Sequence, residues 1–286
     1  MYRRFAGAAL AVAAGGALLT ATGGAAQAAA PSAPAQERGR QAPDFTGIVA
    51  LSNCSGSLVR GPRTSTRDKA LVLTNGHCLE TGMPKPGQVI VDQKSTRAFK
   101  LLDRKGTSVL GELKAAKVAY STMTDTDATV YQLDTTYGEI KAKYGISALK
   151  LAVSHPREGK DISIVSGYWK RIYTCKIDGF AHRVREAGWT WKDSIRYTPA
   201  CDTIGGTSGS PVVDHQTGQV VGVHNTGNDN GEECTLNNPC EVDESGKITV
   251  RKGISYGQQT YLLARCLGRD NAIVLDAKCE LPRPAR

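Results

Sequence analysis

After its first 30 residues, this sequence of 286 residues has no apolar run of the roughly 20 residues that a membrane-crossing helix needs. It also has no run of five or more basic residues, although its formal net charge is +9. Because the basic residues are dispersed, a mildly basic, solvated surface is a better interpretation than a nucleic-acid site. No C-x-x-C pair or His-rich spacing is present, so we expect no metal and no cofactor.

The first residues have the pattern of an export signal. Met1–Phe5 carries two arginines and precedes a stretch rich in Ala, Gly and Leu that runs to Ala30. With Ala26-Gln27-Ala28 as the cleavage site, this predicts a signal peptide over residues 1–28. A membrane anchor is the alternative, and polar residues that interrupt the apolar stretch disfavour it. We therefore expect a secreted protein, exported by ordinary secretion in preference to the twin-arginine route.

The remaining chain divides into a short segment and one large domain. Residues 29–44 contain Pro31, Pro34 and Pro43, which predicts a flexible lead-in or a short propeptide. Residues 45–286 have the size of one all-β unit.

Short apolar runs separated by Gly and Pro predict many short strands, as in a sandwich or barrel. These runs lie at 47–51, 56–59, 70–73, 88–91, 116–120, 128–133, 161–165, 212–213 and 220–224. The best helix candidate is Gln258–Leu267.

The segment Gly205–Pro211 places Ser208 between glycines, in a turn where small residues predominate. Glycine tolerates positive φ and lets other backbone approach closely, so a serine here can be exposed to an incoming carbonyl. Neighbouring N–H groups can then meet the oxyanion of an acyl-transfer reaction. An ordinary Gly/Ser/Thr turn is the alternative for the motif taken alone.

Two further residues can serve such a serine. His77 follows the apolar run at residues 70–73, just past the end of a predicted buried strand. Asp127 opens another β-rich segment, and a strand start is rigid enough to fix an acid that orients a histidine. A structural histidine is the alternative for His77 alone.

In the order His77, Asp127, Ser208, the chain resembles the chymotrypsin-like (trypsin-fold) serine endopeptidases over residues of about 45–270. The resemblance implies two packed antiparallel six-stranded β-barrels with a short C-terminal helix. The barrels would meet between residues 135 and 160, and the active site would lie in the cleft between them.

The resemblance also implies a role for each residue. Ser208 would attack the peptide carbonyl, while His77 takes its proton and returns it to the leaving amine. Asp127 would hold the imidazole in the productive tautomer, with Asp125 as its competitor. We favour Asp127 because the residues after it alternate as in a strand, whereas another acid follows Asp125 closely. The oxyanion donors would be the backbone N–H groups of Gly206 and Ser208.

All the cysteines follow the leader, and an even number in an exported chain predicts disulfides. The resemblance implies the pair Cys54–Cys78, which brackets the loop of His77. Proximity along the chain adds Cys234–Cys240 and Cys266–Cys279, which leaves Cys175–Cys201 as the fourth pair.

The chain is most similar to a secreted bacterial branch that includes the glutamyl endopeptidases. Thr207 stands before the serine where animal trypsins carry an aspartate, so we expect no trypsinogen-style activation switch. The specificity pocket of that branch resembles one built from a Thr five residues before the serine and a His sixteen after it. These positions are Thr203 and His224 here, and they imply cleavage after Glu or Asp.

The specificity has an alternative. Asp202 lies six residues before Ser208, where trypsin-like pockets hold the acid that binds Arg or Lys. If Asp202 instead bonds to backbone or to His224, the pocket stays receptive to acids. Independently of Asp202, the alternative for His224 is a strand-end histidine bonded to backbone.

The resulting expectation is an active, monomeric endopeptidase that acts on proteins or peptides, without nucleic-acid partners and without a membrane partner after signal removal. An inactive relative that only binds proteins is disfavoured, because all three triad positions and both oxyanion positions are filled. A hydrolase of esters or cell-wall amides is disfavoured because Gly206-Thr207-Ser208-Gly209-Ser210 lacks the final Gly of the α/β-hydrolase motif.

Overall fold

The computed structural model describes residues 42–285, so the predicted signal peptide and most of the segment 29–44 lie outside the described residues. Within the described part, none of the helices has both the length and the apolar character needed to cross a membrane.

The first half of the described chain is almost entirely β-structure. Its elements are β1 (Ile48–Ala50), β2 (Ser55–Arg60), β3 (Lys69–Thr74), β4 (Val89–Lys94), β5 (Ala98–Leu102), β6 (Val109–Thr122), β7 (Ala128–Thr136), helix α1 (Tyr137–Tyr144) and β8 (Leu149–Lys150). The strands close into an antiparallel barrel in the order β1-β5-β6-β7-β3-β2, with β2 pairing back to β1. Strand β4 pairs with β6 outside this ring, and β8 lies parallel to β2.

The second half repeats the architecture. Its elements are β9 (Asp161–Ser166), β10 (Arg171–Glu186), β11 (Trp189–Tyr197), a 3-10 turn (Pro199–Cys201), β12 (Pro211–Asp214), β13 (Val220–Gly227), β14 (Cys240–Val242), β15 (Ile248–Val250), β16 (Ser255–Gln259), helix α2 (Tyr261–Cys266) and a 3-10 turn (Arg269–Asn271). The ring β11-β16-β13-β12-β9-β10 is closed by pairing between β10 and β11. Strands β14 and β15 extend the sheet beyond β10.

Burial on both faces explains why β3 is a continuous apolar run. Val72 packs into the interior of the first barrel. Leu71 and Leu73 face the opposite way and pack with Val223 of the second barrel and Leu263 of α2. A strand that is covered on both faces does not alternate between polar and apolar residues, and here it joins the two barrels through one core.

The predicted fold class is therefore confirmed: the described chain is all-β, with two packed antiparallel six-stranded barrels and a short C-terminal helix. The helix is shorter than the predicted Gln258–Leu267, because Gln258 and Gln259 belong to β16 and pair with β13. The hairpin β10–β11 was not among the predicted strands, since its apolar residues alternate with charged ones such as Lys176 and Arg183.

Candidate active site

The turn that carries Ser208 lies against the first barrel. The carbonyl of Ser208 accepts from the backbone N–H of Ser55 at 2.8 Å. Gly209 adopts φ +81°, and a Cβ atom there would lie 2.1 Å from the Ser55 carbonyl oxygen and 2.2 Å from Thr74 Oγ1. Only glycine fits this position, which explains why a glycine follows Ser208.

Short-range hydrogen bonds hold the rest of the turn. The N–H of Thr207 donates to the Ile204 carbonyl at 3.1 Å, and the N–H of Ser210 donates to the Thr207 carbonyl at 3.1 Å. On the other side, the N–H of Gly209 donates to the carbonyl of His224 at 2.9 Å. The turn is thus fixed by β13 and by its own backbone, with Thr207 fully buried.

The backbone N–H groups of Gly206 and Ser208 donate to no protein group among the described hydrogen bonds. Gly206 has φ +87°, and a Cβ atom there would lie 2.9 Å from Nε1 of Trp169. The same indole Nε1–H donates to the Gly205 carbonyl at 2.8 Å, which fixes the preceding peptide. Both N–H groups are therefore available to donate to an oxyanion.

His77 and Asp127 are in direct contact. The imidazole Nδ1 lies 2.8 Å from Asp127 Oδ2, and the backbone N–H of His77 donates to Asp127 Oδ1 at 3.1 Å. Asn75 donates its side-chain N–H to the carbonyl of Asp127 at 2.9 Å. The Asp127 carboxylate is fully buried, whereas a fifth of the His77 side chain is exposed, so the ring has one open side.

Asp125, the other acid in this segment, faces away from the histidine. Its carboxylate pairs with Lys192 Nζ at 2.7 Å and is 41% exposed. Its backbone has φ +60°, and Asp125 forms an isolated bridge with Trp191 instead of entering the strand.

Ser208 lies in the same cleft as His77 and Asp127. Its hydroxyl donates to the Asn225 carbonyl at 3.2 Å and makes no hydrogen bond to the imidazole among the described contacts. Nucleophile–base contacts are often open without substrate, and rotation about χ1 changes the direction of a serine hydroxyl.

The His77 imidazole has a raised pKa. Burial acts to lower it, but the charge of Asp127, the hydrogen bond to that carboxylate and the charge of Glu186 together outweigh the burial. The imidazolium is therefore stabilised at the position where a general base must accept a proton.

The cleft contains a second histidine in the opposite condition. His224 is 3% exposed, its Nδ1 has no hydrogen-bond partner among the described residues, and it stacks on Tyr197 with ring centroids 5.8 Å apart. Burial and then the charge of His77 lower its pKa to about 3. Thr203 and Ser255 line the same cleft and are joined by a hydrogen bond of 2.9 Å between their hydroxyls.

Asp202 stands apart from this pocket. It is exposed, adopts φ +37° at the end of a 3-10 turn, and does not line the cleft. Its N–H donates to the Pro199 carbonyl at 3.2 Å.

Sequence reasoning missed several cleft residues, among them Glu186, Trp189, Trp191, Asn225 and Ser255. No local motif marks them, because they come from different strands that only the closed barrel brings together.

The described residues contain four disulfides, Cys54–Cys78, Cys175–Cys201, Cys234–Cys240 and Cys266–Cys279, which are the expected pairs. Cys54 and Cys78 also lie beside His77, in the one grouping of possible metal ligands found in the described part of the chain. Since both sulfurs are oxidised and His77 Nδ1 contacts Asp127, these residues offer no open ligand set.

A double β-barrel with a glycine-framed serine in the cleft defines a chymotrypsin-like serine endopeptidase. The sequence profile of the trypsin-like peptidase domain matches residues 54–223, more than half of the chain. The protein belongs to the trypsin-like peptidase domain family.

Several solved structures are similar, at low sequence identity. The protease domain of MamO from Magnetospirillum magneticum is 13% identical, with 77% of this chain and 94% of that chain covered and a TM-score of 0.47. The serine endoprotease from Yersinia pestis is 11% identical, with 82% of this chain and 66% of that chain covered and a TM-score of 0.45. The thermostable serine protease AL20 from an extremophilic microorganism is 16% identical, with 76% of this chain and 91% of that chain covered and a TM-score of 0.43.

No curated protein sequence matches the chain. Since all three TM-scores are below 0.5, the family assignment rests on the sequence profile.

Proposed function

We propose that the protein hydrolyses peptide bonds through a Ser208-His77-Asp127 triad and an acyl-enzyme. The observation that carries this proposal is the 2.8 Å contact between His77 Nδ1 and a fully buried Asp127, in the cleft that also holds Ser208. Asp127 fixes the tautomer with Nδ1 protonated, so that Nε2 is free to accept a proton.

The reaction follows from these groups. Ser208 Oγ turns from the Asn225 carbonyl toward His77, gives up its proton to Nε2 and bonds to the substrate carbonyl carbon. The oxyanion accepts hydrogen bonds from the N–H groups of Gly206 and Ser208. His77 then protonates the leaving amine, and water, activated by the same base, releases the acid and restores the serine.

Covalent labelling tests this assignment and separates an active enzyme from an inactive binding relative. A fluorophosphonate should label the wild-type protein at Ser208 and leave Ser208→Ala unlabelled, as read by intact mass and peptide mapping. Ser210→Ala, two residues further on in the same turn, is the matched control and should still be labelled. An unlabelled wild-type protein with native circular dichroism would contradict the proposal.

For the substrate, we propose cleavage after Glu or Asp, as in the glutamyl endopeptidases. What supports it is a pocket of donors: the hydroxyls of Thr203 and Ser255 and a His224 imidazole that burial keeps neutral. Cleavage after Arg or Lys through Asp202 is the alternative, and the exposure of Asp202 outside the cleft disfavours it. Paired chromogenic peptides ending in Glu or Arg decide between the two, and a clear preference for Arg would reject acidic specificity.

We also propose that the protein is secreted and acts as a monomer. The predicted signal peptide and four disulfides support an oxidising, extracellular location. Reduced and non-reduced peptide maps of the protein recovered from culture medium, with the molar mass in solution, test both statements.

A further inference from the structure

Glu186 is a buried acid that the proposed reaction does not use. It is the last residue of β10, is 5% exposed and lines the same cleft as His77 and Ser208. Its Oε1 accepts from the backbone N–H of Asn237 at 2.8 Å, and the Thr226 side chain also hydrogen-bonds the carboxylate, whereas Oε2 has no well-aligned hydrogen-bond partner within the described chain. Buried polar atoms without a partner are rare in native proteins, and one that lines a substrate cleft points to a ligand.

The charges around Glu186 are of one sign. Three carboxylates line the cleft, those of Asp127, Glu186 and Asp229, and none of the lining residues is Lys or Arg. Although the whole chain carries a formal net charge of +9, the part of the cleft around Glu186 therefore attracts cations, in contrast to the pocket of Thr203, His224 and Ser255. Burial raises the pKa of Glu186, whereas the hydrogen bonds from Thr226 and Asn237 act to lower it, and the positive form of His77 also acts to lower it, as a bound cation would.

The walls beside Glu186 suit a long basic side chain. Trp189 donates its indole N–H to the Pro84 carbonyl at 2.9 Å, and Trp191 donates to the Met123 carbonyl at 3.0 Å. With their N–H groups engaged, the two indoles present ring surface to the cleft, together with Met123 and Leu236. Apolar and aromatic surface around one carboxylate matches the apolar stem and charged end of Lys or Arg.

This region differs from the pocket of Thr203, His224 and Ser255. Glu186 comes from the β10–β11 hairpin and is tied to Asn237, in the loop closed by the Cys234–Cys240 disulfide. It interacts electrostatically with His77 and Asp127.

We propose that Glu186 is a specificity-determining residue that binds a basic side chain of the substrate, in a subsite separate from the His224 pocket. The subsite takes a residue next to or near the one after which the chain is cut. The inference rests on the proposed protease function of the cleft.

A peptide series tests the subsite. Lys is compared with the uncharged norleucine at each of three positions before and three after the cleaved bond, with the best residue from the Glu/Arg panel kept at the cleavage position. We expect the wild-type enzyme to prefer Lys about tenfold in kcat/KM at one of these positions, as a charge-assisted hydrogen bond allows. No such preference at any position would overturn the proposal, whatever the variants do.

Glu186→Gln keeps the acceptor for Asn237 but removes the charge, so we expect the Lys/norleucine ratio to fall to about one. Asp229→Asn removes the exposed acid of the same cleft and should retain most of the ratio. If Asp229→Asn abolishes the ratio and Glu186→Gln keeps it, Glu186 is not the determinant. A preference for Arg at the cleavage position itself that Glu186→Gln abolishes would overturn the separation into two subsites.

Fluorophosphonate labelling distinguishes the two proposals. Wild-type protein that labels at Ser208 but lacks the Lys preference leaves the protease function standing and rejects the Glu186 subsite. Wild-type protein that does not label rejects the function on which the subsite depends.

Discussion

Two histidines line the same cleft, and their surroundings give them opposite properties. His77 contacts the buried carboxylate of Asp127, and its pKa is raised in spite of burial. His224 is buried against Tyr197 without an acid, and its pKa falls to about 3. The same side chain is thus suited to accept a proton at one end of the cleft and to stay neutral at the other. The charged partner, more than the degree of burial, decides which role an imidazole can take.

The largest expected effect comes from removing the acid that distinguishes His77. Asp127→Asn should lower kcat by about 10⁴-fold, because the amide favours the wrong tautomer of the imidazole. Steady-state kinetics on one chromogenic peptide measure the change. Asp125→Asn is the matched control and should retain near-normal turnover, since Asp125 pairs with Lys192. The reverse ranking of these two variants would reject Asp127 as the orienting acid.

The serine turn between the two histidines offers the next effect. Gly206→Ala should lower kcat by about 10²-fold, because a methyl group at φ +87° meets Trp169 and displaces an oxyanion N–H. Gly205→Ala is the neighbouring control, since its Cβ atom would meet nothing within 4 Å. Equal losses of kcat in both variants would show that the turn tolerates no substitution and would give no support to the Gly206 N–H as an oxyanion donor.

At the neutral histidine, the expected effect is on substrate choice. Thr203→Val removes a hydroxyl from the pocket and should reduce the preference for Glu over Gln at the cleavage position about tenfold. Competition assays with the two peptides give the ratio directly. Asp202→Asn should leave the ratio unchanged because Asp202 is exposed outside the cleft. If only Asp202→Asn changes it, the donor pocket is not the specificity site.

The smallest effect expected is a shift in the pH profile. Activity needs neutral His77, so kcat/KM should fall as the pH drops through a midpoint above 6.5, the ordinary value for histidine. Removing the charge of Glu186 with Glu186→Gln should move this midpoint down, since that charge helps to raise the pKa of His77. His224 should add no midpoint near neutrality, because its pKa is about 3. If Glu186→Gln leaves the midpoint unchanged, the charge of Glu186 does not influence the pKa of His77.

The sequence predicted the catalytic candidates better than their surroundings. His77 and Ser208 lie in short motifs whose glycines are required by local close approaches, such as that of Gly76 to the Thr122 carbonyl and of Gly209 to the Ser55 carbonyl. Such constraints leave a mark within a few residues of the functional group.

Glu186 carried no comparable signal. Its partner Asn237 is 51 residues away, and its position beside His77 depends on how the two barrels pack. In the sequence it is only the last charged residue of an alternating strand. The helix prediction was wrong at its start for a related reason. Residues 258–259 pair with β13 as part of β16, and local propensity does not decide between helix and strand for them.

The sequence alone determined the fold class, the order of the three candidate catalytic residues and the even set of cysteines. Each of these depends on local conformational requirements of the backbone or on the order of the motifs, and both can be seen in the sequence. Only the tertiary structure decided that Asp127 and not Asp125 contacts His77, that Asp202 lies outside the cleft and that Glu186 lies inside it. These are matters of direction and burial, set by barrel closure, and they decide which side chains face the cleft.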